Sequence, residues 1–138
     1  MAKARVSGAF ISRKVLLVED DDATCRMYAE ALRMEGFSVR TAGDGVSALR
    51  VIEAFDPDVV ILDLRLPLAS GFEVLHELRS EGLRLSAPVI AVSGEEQGIE
   101  RARQNPEFYA ALRKPFDPDD LIGVTRRAAA SAVRIAPV

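Results

Sequence analysis

The sequence predicts an α/β domain: a doubly wound, five-stranded parallel sheet with helices on both faces. Two observations carry that reading. Short apolar runs, Val15–Val18, Val59–Leu62 and Val89–Val92, have the continuous hydrophobicity of strands buried on both faces. Segments of helical period separate them, and strands alternating with helices in one domain build a parallel sheet through right-handed crossovers.

Residues 1–13 are small and basic without periodicity and read as a flexible leader; the domain is expected over 14–130, with a C-terminal tail over 131–138. The first strand gives way to an acidic turn in which Asp21 or Asp22 caps the next helix by accepting from its free amides. That helix runs from about Ala23 to Glu35, with Met27, Ala31, Leu32 and Met34 on its apolar face and Gly36 as a left-handed stop. Phe37 to Thr41 forms the second strand. Asp44 and Gly45 mark a turn, after which Val46, Leu49, Val51, Ile52 and Phe55 recur at near-helical spacing until Pro57 breaks the chain. Pro67 and Gly71 punctuate the loop after Asp63, and Phe72, Leu75 and Leu78 mark a third helix. Pro88 introduces the fourth strand. The segment Glu95–Glu107 is polar and weakly amphipathic, which makes the fourth helix the faintest element. Leu112 centres the fifth strand, and Asp117–Asp119 offer caps to a last helix whose apolar residues include Leu121, Ile122, Val124 and Val133.

At 138 residues the chain has the size of one domain, able to bury roughly two thirds of its unfolded surface without disulfides or metal staples. Apolar residues make up 49% and charged residues 28%, the balance of a globular rather than a disordered chain. A net charge of -3 gives no broad basic field, Arg126 and Arg127 being only a local pair, so direct nucleic-acid binding is not expected. The lone Cys25 cannot form an internal disulfide, and Met1–Lys14 has no apolar core of signal-peptide length. No apolar stretch nears the roughly 20 residues that cross a bilayer. The expectation is a cytoplasmic protein without membrane insertion.

Chemistry concentrates where the strands end. In an open parallel sheet all carboxyl ends share one edge, and such folds bind their ligands there. Val15–Val18 runs into Glu19, Asp20 and Asp21; Val59–Leu62 runs into Asp63; Val89–Val92 runs into Ser93 and Gly94; Ala110–Arg113 runs into Lys114, locked by Pro115. Carboxylates crowded at one edge repel, by roughly 4 kcal/mol for two charges about 4 Å apart at an effective dielectric of about 20. Something positive must offset them. Lys114 supplies one charge, and a hard divalent ion such as Mg²⁺, which prefers carboxylates, a carbonyl and waters, suits the rest. No Cys or His cluster offers a zinc site. A carboxylate beside Mg²⁺ can attack a phosphoryl group while metal and lysine offset charge on the phosphoryl oxygens. Asp63 is the candidate nucleophile.

Other residues read more plainly. Asp21 and Asp22 suit helix caps better than metal ligands. His76 lies inside the third helix, away from the strand ends, and takes no catalytic role. Cys25 reads as a small packed side chain. Gly43, Gly45 and Gly94 build neither a GxGxxG turn nor a P-loop, so no nucleotide motif is present.

The segments VLLVEDD, PDVVILDLRLPLASGFEVL, PVIAVSG and LRKPF resemble, in order and spacing, the receiver domain of the two-component response-regulator family, over Lys14 to about Ala130. The resemblance implies strand order 2-1-3-4-5. It implies that Asp63 accepts a phosphoryl group from a histidine kinase or histidine phosphotransfer protein. By the same resemblance Asp20 and Asp63 bind Mg²⁺ with the backbone carbonyl of Arg65, and Glu19 assists through water. Ser93 hydrogen-bonds the phosphoryl group, Lys114 pairs with it, and the Lys114–Pro115 bond is cis. Such a domain is a phosphorylation-controlled switch, not an enzyme acting on a separate substrate, and it signals by contact with a downstream protein. The short tail is expected to leave no room for an output domain, which makes the chain a single-domain regulator.

Two other classes stay open. A haloacid-dehalogenase-like phosphatase also uses an aspartate nucleophile and Mg²⁺, but carries a second acid two residues after the nucleophile, where this chain has Arg65. A degenerate receiver would serve only as a docking module, and the intact set Asp20, Asp63, Ser93 and Lys114 counts against it. Receivers commonly carry an aromatic residue three positions before the lysine; here that position is Ala111, with Phe108 and Tyr109 out of register, so output is expected without an aromatic rotamer switch. Arg65 and Glu95 flank the mouth of the site with opposite charge, and are expected to pair across it and modulate the lifetime of the phosphoryl group.

Overall fold

The computed structural model describes residues 12–80 and 85–131. Most of the expected leader and tail, and Val133, lie outside the described residues. The strands are β1 (Lys14–Val18), β2 (Ser38–Ala42), β3 (Val59–Asp63), β4 (Val89–Ser93) and β5 (Ala110–Arg113), and the helices α1 (Asp22–Met34), α2 (Gly45–Phe55), α3 (Gly71–Ser80), α4 (Glu96–Arg103) and α5 (Pro118–Ser131). All strand pairs are parallel, in the order β2-β1-β3-β4-β5.

Successive side chains of a strand point to opposite faces, so each apolar run feeds two cores. Leu16 and Val18, Val60 and Leu62, and Val89 and Ala91 pack beneath α2, α3 and α4. Val15 and Leu17, Val59 and Ile61, and Ile90 and Val92 pack beneath α1 and α5. The runs lack polar alternation because both faces of the sheet are covered.

The apolar face expected for α1 is corrected. Met27 is 51% and Met34 85% exposed, while Tyr28, Ala29 and Leu32 are buried and Cys25 packs beside them. Residues 25, 28, 29 and 32 follow the i, i+3, i+4, i+7 stripe, and the ring of Tyr28 stacks on Phe116 at 5.1 Å, which turns this stripe to the sheet. Flexible methionines on the other side remain in water. The start and stop of α1 match the sequence reading. Asp21 caps it by accepting from the Thr24 amide at 2.9 Å. Gly36, at φ 97°, donates to the Arg33 carbonyl, and Phe37 donates to that of Leu32. This is a Schellman closure, and its left-handed residue favours glycine.

The faint fourth helix exists as a short α4 that buries only Ile99 and Ala102. For α5, the backbone carbonyl of Asp117 accepts from the amides of Asp120 and Leu121. A signal that the sequence reading missed starts α3. Ser70 Oγ accepts from the Glu73 amide at 3.2 Å and Glu73 Oε1 accepts from the Ser70 amide at 2.9 Å, a reciprocal capping box. Between them stands Gly71. A Cβ there would lie 2.6 Å from the carbonyl oxygen of Asp63 and 2.7 Å from the Cα of Leu64, so glycine lets α3 begin against the strand that carries Asp63.

The two sides of α1 give a direct test. Leu32→Ala should lower unfolding stability by about 2–5 kcal/mol through the cavity it leaves, whereas Met34→Ala should change it by no more than about 0.5 kcal/mol. Urea midpoints of both variants check this, and comparable losses would contradict the observed face.

Candidate functional site

The alternation of the strands selects which polar groups meet. Glu19, Asp63 and Lys114 continue the parity of Val15 and Leu17, of Val59 and Ile61, and of Ala110 and Leu112, all on the side of α1 and α5. The three side chains converge. Lys114 Nζ donates to Glu19 Oε1 at 2.7 Å and to Asp63 Oδ2 at 2.9 Å. The remaining oxygens are also satisfied: Glu19 Oε2 accepts from the Asp21 amide at 3.1 Å, and Asp63 Oδ1 from the Arg65 amide at 2.8 Å. Asp63 lies at the carboxyl edge, as expected, but it is buried, only 4% exposed. A buried carboxylate pair is tolerable here because one ammonium bridges both and backbone amides complete the shell.

Ser93 continues the other parity, that of Val89 and Ala91, and is buried; its Oγ accepts from the Glu95 amide at 3.1 Å. The Lys114–Pro115 peptide is cis. The amide of Lys114 donates to the Ser93 carbonyl at 2.8 Å, so backbone bonding fixes the two residues in register at the ends of β4 and β5. Asp20 is exposed. Oxygens of Glu19, Asp20 and Asp63 lie within 4.8 Å of one another. Three hard oxygen donors and no thiol or imidazole fit Mg²⁺ rather than a softer ion. Asp21 lines the same crevice but is engaged as the α1 cap, and the Thr24 side-chain and backbone hydrogen bonds hold its carboxyl below the usual aspartate range.

Arg65 and Glu95 do meet across the mouth, Nη1 to Oε2 at 3.1 Å, both well exposed. The crevice is further lined by Leu66, Pro67 and Gly94; the lining role of Leu66 and Pro67 was not read from the sequence. His76 is exposed on α3. Cys25 is half-buried, and burial pushes its thiol pKa up. Ala111 packs on the α2–α4 side. Nearby Phe108 is buried edge-on to Phe72, with ring centroids 5.5 Å apart, while Tyr109 is partly exposed.

A parallel 2-1-3-4-5 sheet with buried acids bridged by a lysine at its carboxyl edge defines a receiver-type domain. The profile of the response regulator receiver domain family matches residues 15–126, and the chain belongs to that family. It is 45% identical over 111 residues to the probable transcriptional regulatory protein TcrX of Mycobacterium tuberculosis, covering 78% of this chain and 46% of the relative. It is 42% identical over 115 residues to the sensory transduction protein RegX3 of Mycolicibacterium smegmatis, covering 81% and 48% respectively. The chain thus spans about half the length of these curated relatives. Among solved structures, a putative response regulator from Chloroflexus aurantiacus superposes with a TM-score of 0.78 at 28% identity, covering 87% of this chain and 99% of the other. Family membership carries the function of a phosphorylation-controlled switch and favours it over the phosphatase alternative. No helix among the described residues is long and apolar enough to cross a membrane.

Burial disfavours the charge of Lys114, but hydrogen bonds to Glu19 and Asp63, and the charges of those acids, outweigh it and raise its pKa above the ordinary 10.5. The stabilisation that Lys114 draws from its partners is therefore complete below pH 10.5 and lost as pH rises through the higher folded value. The difference in urea midpoint between the protein and Lys114→Met should stay constant at neutral and mildly alkaline pH and shrink above 10.5. A difference unchanged to strongly alkaline pH would show that the lysine charge contributes nothing.

Proposed function

We propose that this chain is a phosphorylation-controlled signalling switch that accepts a phosphoryl group on Asp63 from the phosphohistidine of a histidine kinase or histidine phosphotransfer protein, and that it requires Mg²⁺. The observation that carries the reading is the single ammonium of Lys114 shared by Glu19 and Asp63 in an acidic crevice. In the transfer a carboxylate oxygen of Asp63 forms a P–O bond as the donor's P–N bond breaks. The phosphoimidazole, protonated on its other ring nitrogen, leaves as neutral imidazole with the electron pair. Lys114, already in contact with Asp63, stays to pair with the new phosphoryl oxygens, and the buried Ser93 hydroxyl donates to one of them. Glu19, Asp20 and Asp63, with the carbonyl of Arg65, would hold Mg²⁺, which when bound offsets phosphoryl charge.

The switch unit is assigned to residues 14–130, with 1–13 as leader and 131–138 as tail. The net charge of -3 over the whole chain supports output through protein contact rather than nucleic-acid binding, and the absence of a long apolar helix among the described residues supports a cytoplasmic setting. It consumes no separate substrate, since the phosphoryl group rests on its own side chain.

Asp63→Asn should abolish stable labelling by phosphoramidate with Mg²⁺ while preserving the fold, because the amide is nearly isosteric but a poor nucleophile. Asp20→Ala should chiefly weaken Mg²⁺ binding in a titration. Persistent labelling of Asp63→Asn would reject the assigned acceptor. Rapid turnover of many monophosphates by the unaltered chain would point to a phosphatase, and no reaction at all to a docking module.

The pair Arg65–Glu95 stands across the path of an attacking water. Exposed pairs contribute about 0–1 kcal/mol, so Arg65→Ala and Glu95→Ala should each speed autodephosphorylation by no more than about fivefold. The double variant should be no faster than the faster single one. Effects that add on the logarithm of the rate would show that the two residues act independently.

A further inference from the structure

Asp63 is buried at the floor of its crevice. A histidine carried on a protein can deliver its phosphoryl group only if the donor's surface settles on the rim. One part of that rim is apolar, made by Leu66 and Pro67. The next residue, Leu68, is 99% exposed and holds φ at 72°. A lone exposed leucine needs no explanation. One on left-handed backbone does, because the conformation opposes a bulky side chain, and asparagine or glycine would adopt it more readily.

The arch that carries Leu68 is closed at its neck. Arg65 and Ser70 form an antiparallel bridge, and the Gly71 amide donates to the Leu64 carbonyl at 2.9 Å. The Ser70–Glu73 capping box then ties the arch to the start of α3. Residues 66–69 alone span the gap, so the leucine is presented to solvent by a short, tethered turn. Because the backbone beneath the leucine is tethered before binding, covering it costs chiefly the freedom of the side chain itself, which favours a single residue as an anchor.

We propose that Leu68 is a docking residue for the phosphohistidine-bearing protein: an apolar anchor on the loop that borders the crevice, which the donor covers as its imidazole comes over Asp63. The inference rests on the phosphotransfer reading of Asp63. The donor is favoured over a downstream target because Leu68 directly follows Leu66 and Pro67 on the same short loop that lines the crevice in which transfer takes place. A target requires only some surface that phosphorylation alters. Small donors enter the crevice without covering its rim, so comparing the two donor classes isolates the role of the leucine.

The test uses the whole chain, Leu68→Asn and Leu68→Met. A panel of autophosphorylated histidine kinase cores is screened against the unaltered chain, and the fastest becomes the protein donor; phosphoramidate with Mg²⁺ is the small donor. Asparagine suits the left-handed backbone, so Leu68→Asn should melt no lower than the unaltered chain. It should load from phosphoramidate within about twofold of the unaltered rate and from the kinase core about tenfold more slowly, the loss expected when burial of a leucine in the complex is removed. Leu68→Met, still apolar, should keep kinase transfer within about threefold of the original. Unchanged kinase transfer to Leu68→Asn would overturn the docking role, and so would an equal fall with phosphoramidate, which would place the effect in the site itself. If phosphoramidate loads the chain but every kinase core fails, the phosphohistidine reading falls and this inference with it.

Discussion

Glu19 and Asp63 are two carboxylates removed from water at the end of a parallel sheet, and the arrangement is tenable because Lys114 reaches both, at 2.7 and 2.9 Å. Much of the architecture serves that contact. The 2-1-3-4-5 order sets β1 and β3 side by side, so that Glu19 and Asp63 emerge from neighbouring strands. Lys114 must cross from β5, at the sheet edge, past β4. Its amide bond to the Ser93 carbonyl fixes where that reach begins. Strand parity then turns all three side chains to the same layer. A chain that slipped β5 by one residue against β4 would turn Lys114 to the other face of the sheet and leave two buried anions without their cation.

The strands were legible because continuous apolar runs are what a sheet covered on both faces requires, and the convergence of their polar ends followed from topology. Of the apolar face expected for helix α1, Leu32 and Ala31 do pack toward the sheet while Met27 and Met34 do not. Its methionines score as apolar as its buried residues, and the true stripe includes Tyr28 and Cys25, whose burial depends on the stacking of Tyr28 on Phe116, a residue far away in sequence. The weakness of α4 was legible for the right reason, since only Ile99 and Ala102 are buried in it. The capping box Ser70–Glu73 is present in the sequence as Ser-x-x-Glu, but Pro67 and Gly71 in the same stretch give the stronger local signal, that of a break. The burial of Asp63 could not be read locally. It follows from the approach of Gly71 to its carbonyl and from the reach of Lys114 across the sheet.

Helix α4 buries Ile99 and Ala102 against the sheet, as α2 buries Ala48 and Ile52, and adds contacts near the surface: Glu95 to Arg65, Glu96 to Arg113, and the guanidinium of Arg101 over the ring of Phe72 at 4.2 Å. Exposed ion pairs contribute little and are screened by salt, so these attachments can be exchanged at small cost.

The site touches helix α4 at two points. The Glu95 amide binds Ser93 Oγ, and the Glu95 carboxylate binds Arg65, whose own amide binds Asp63. A new group on Asp63 that draws Ser93 or the loop bearing Arg65 toward it must therefore pull on the residue that precedes α4. Beneath the helix, Ala111 offers no aromatic ring to turn inward. The aromatic contact lies instead between Phe72 and the buried Phe108, with Arg101 stacked on Phe72. Any displacement of α4 has to be accommodated by sliding Arg101 along that ring or lifting it away, rather than by filling a cavity at position 111. The strand β5 keeps its register because its backbone bonds to β4 do not involve the side chain that the family usually places there.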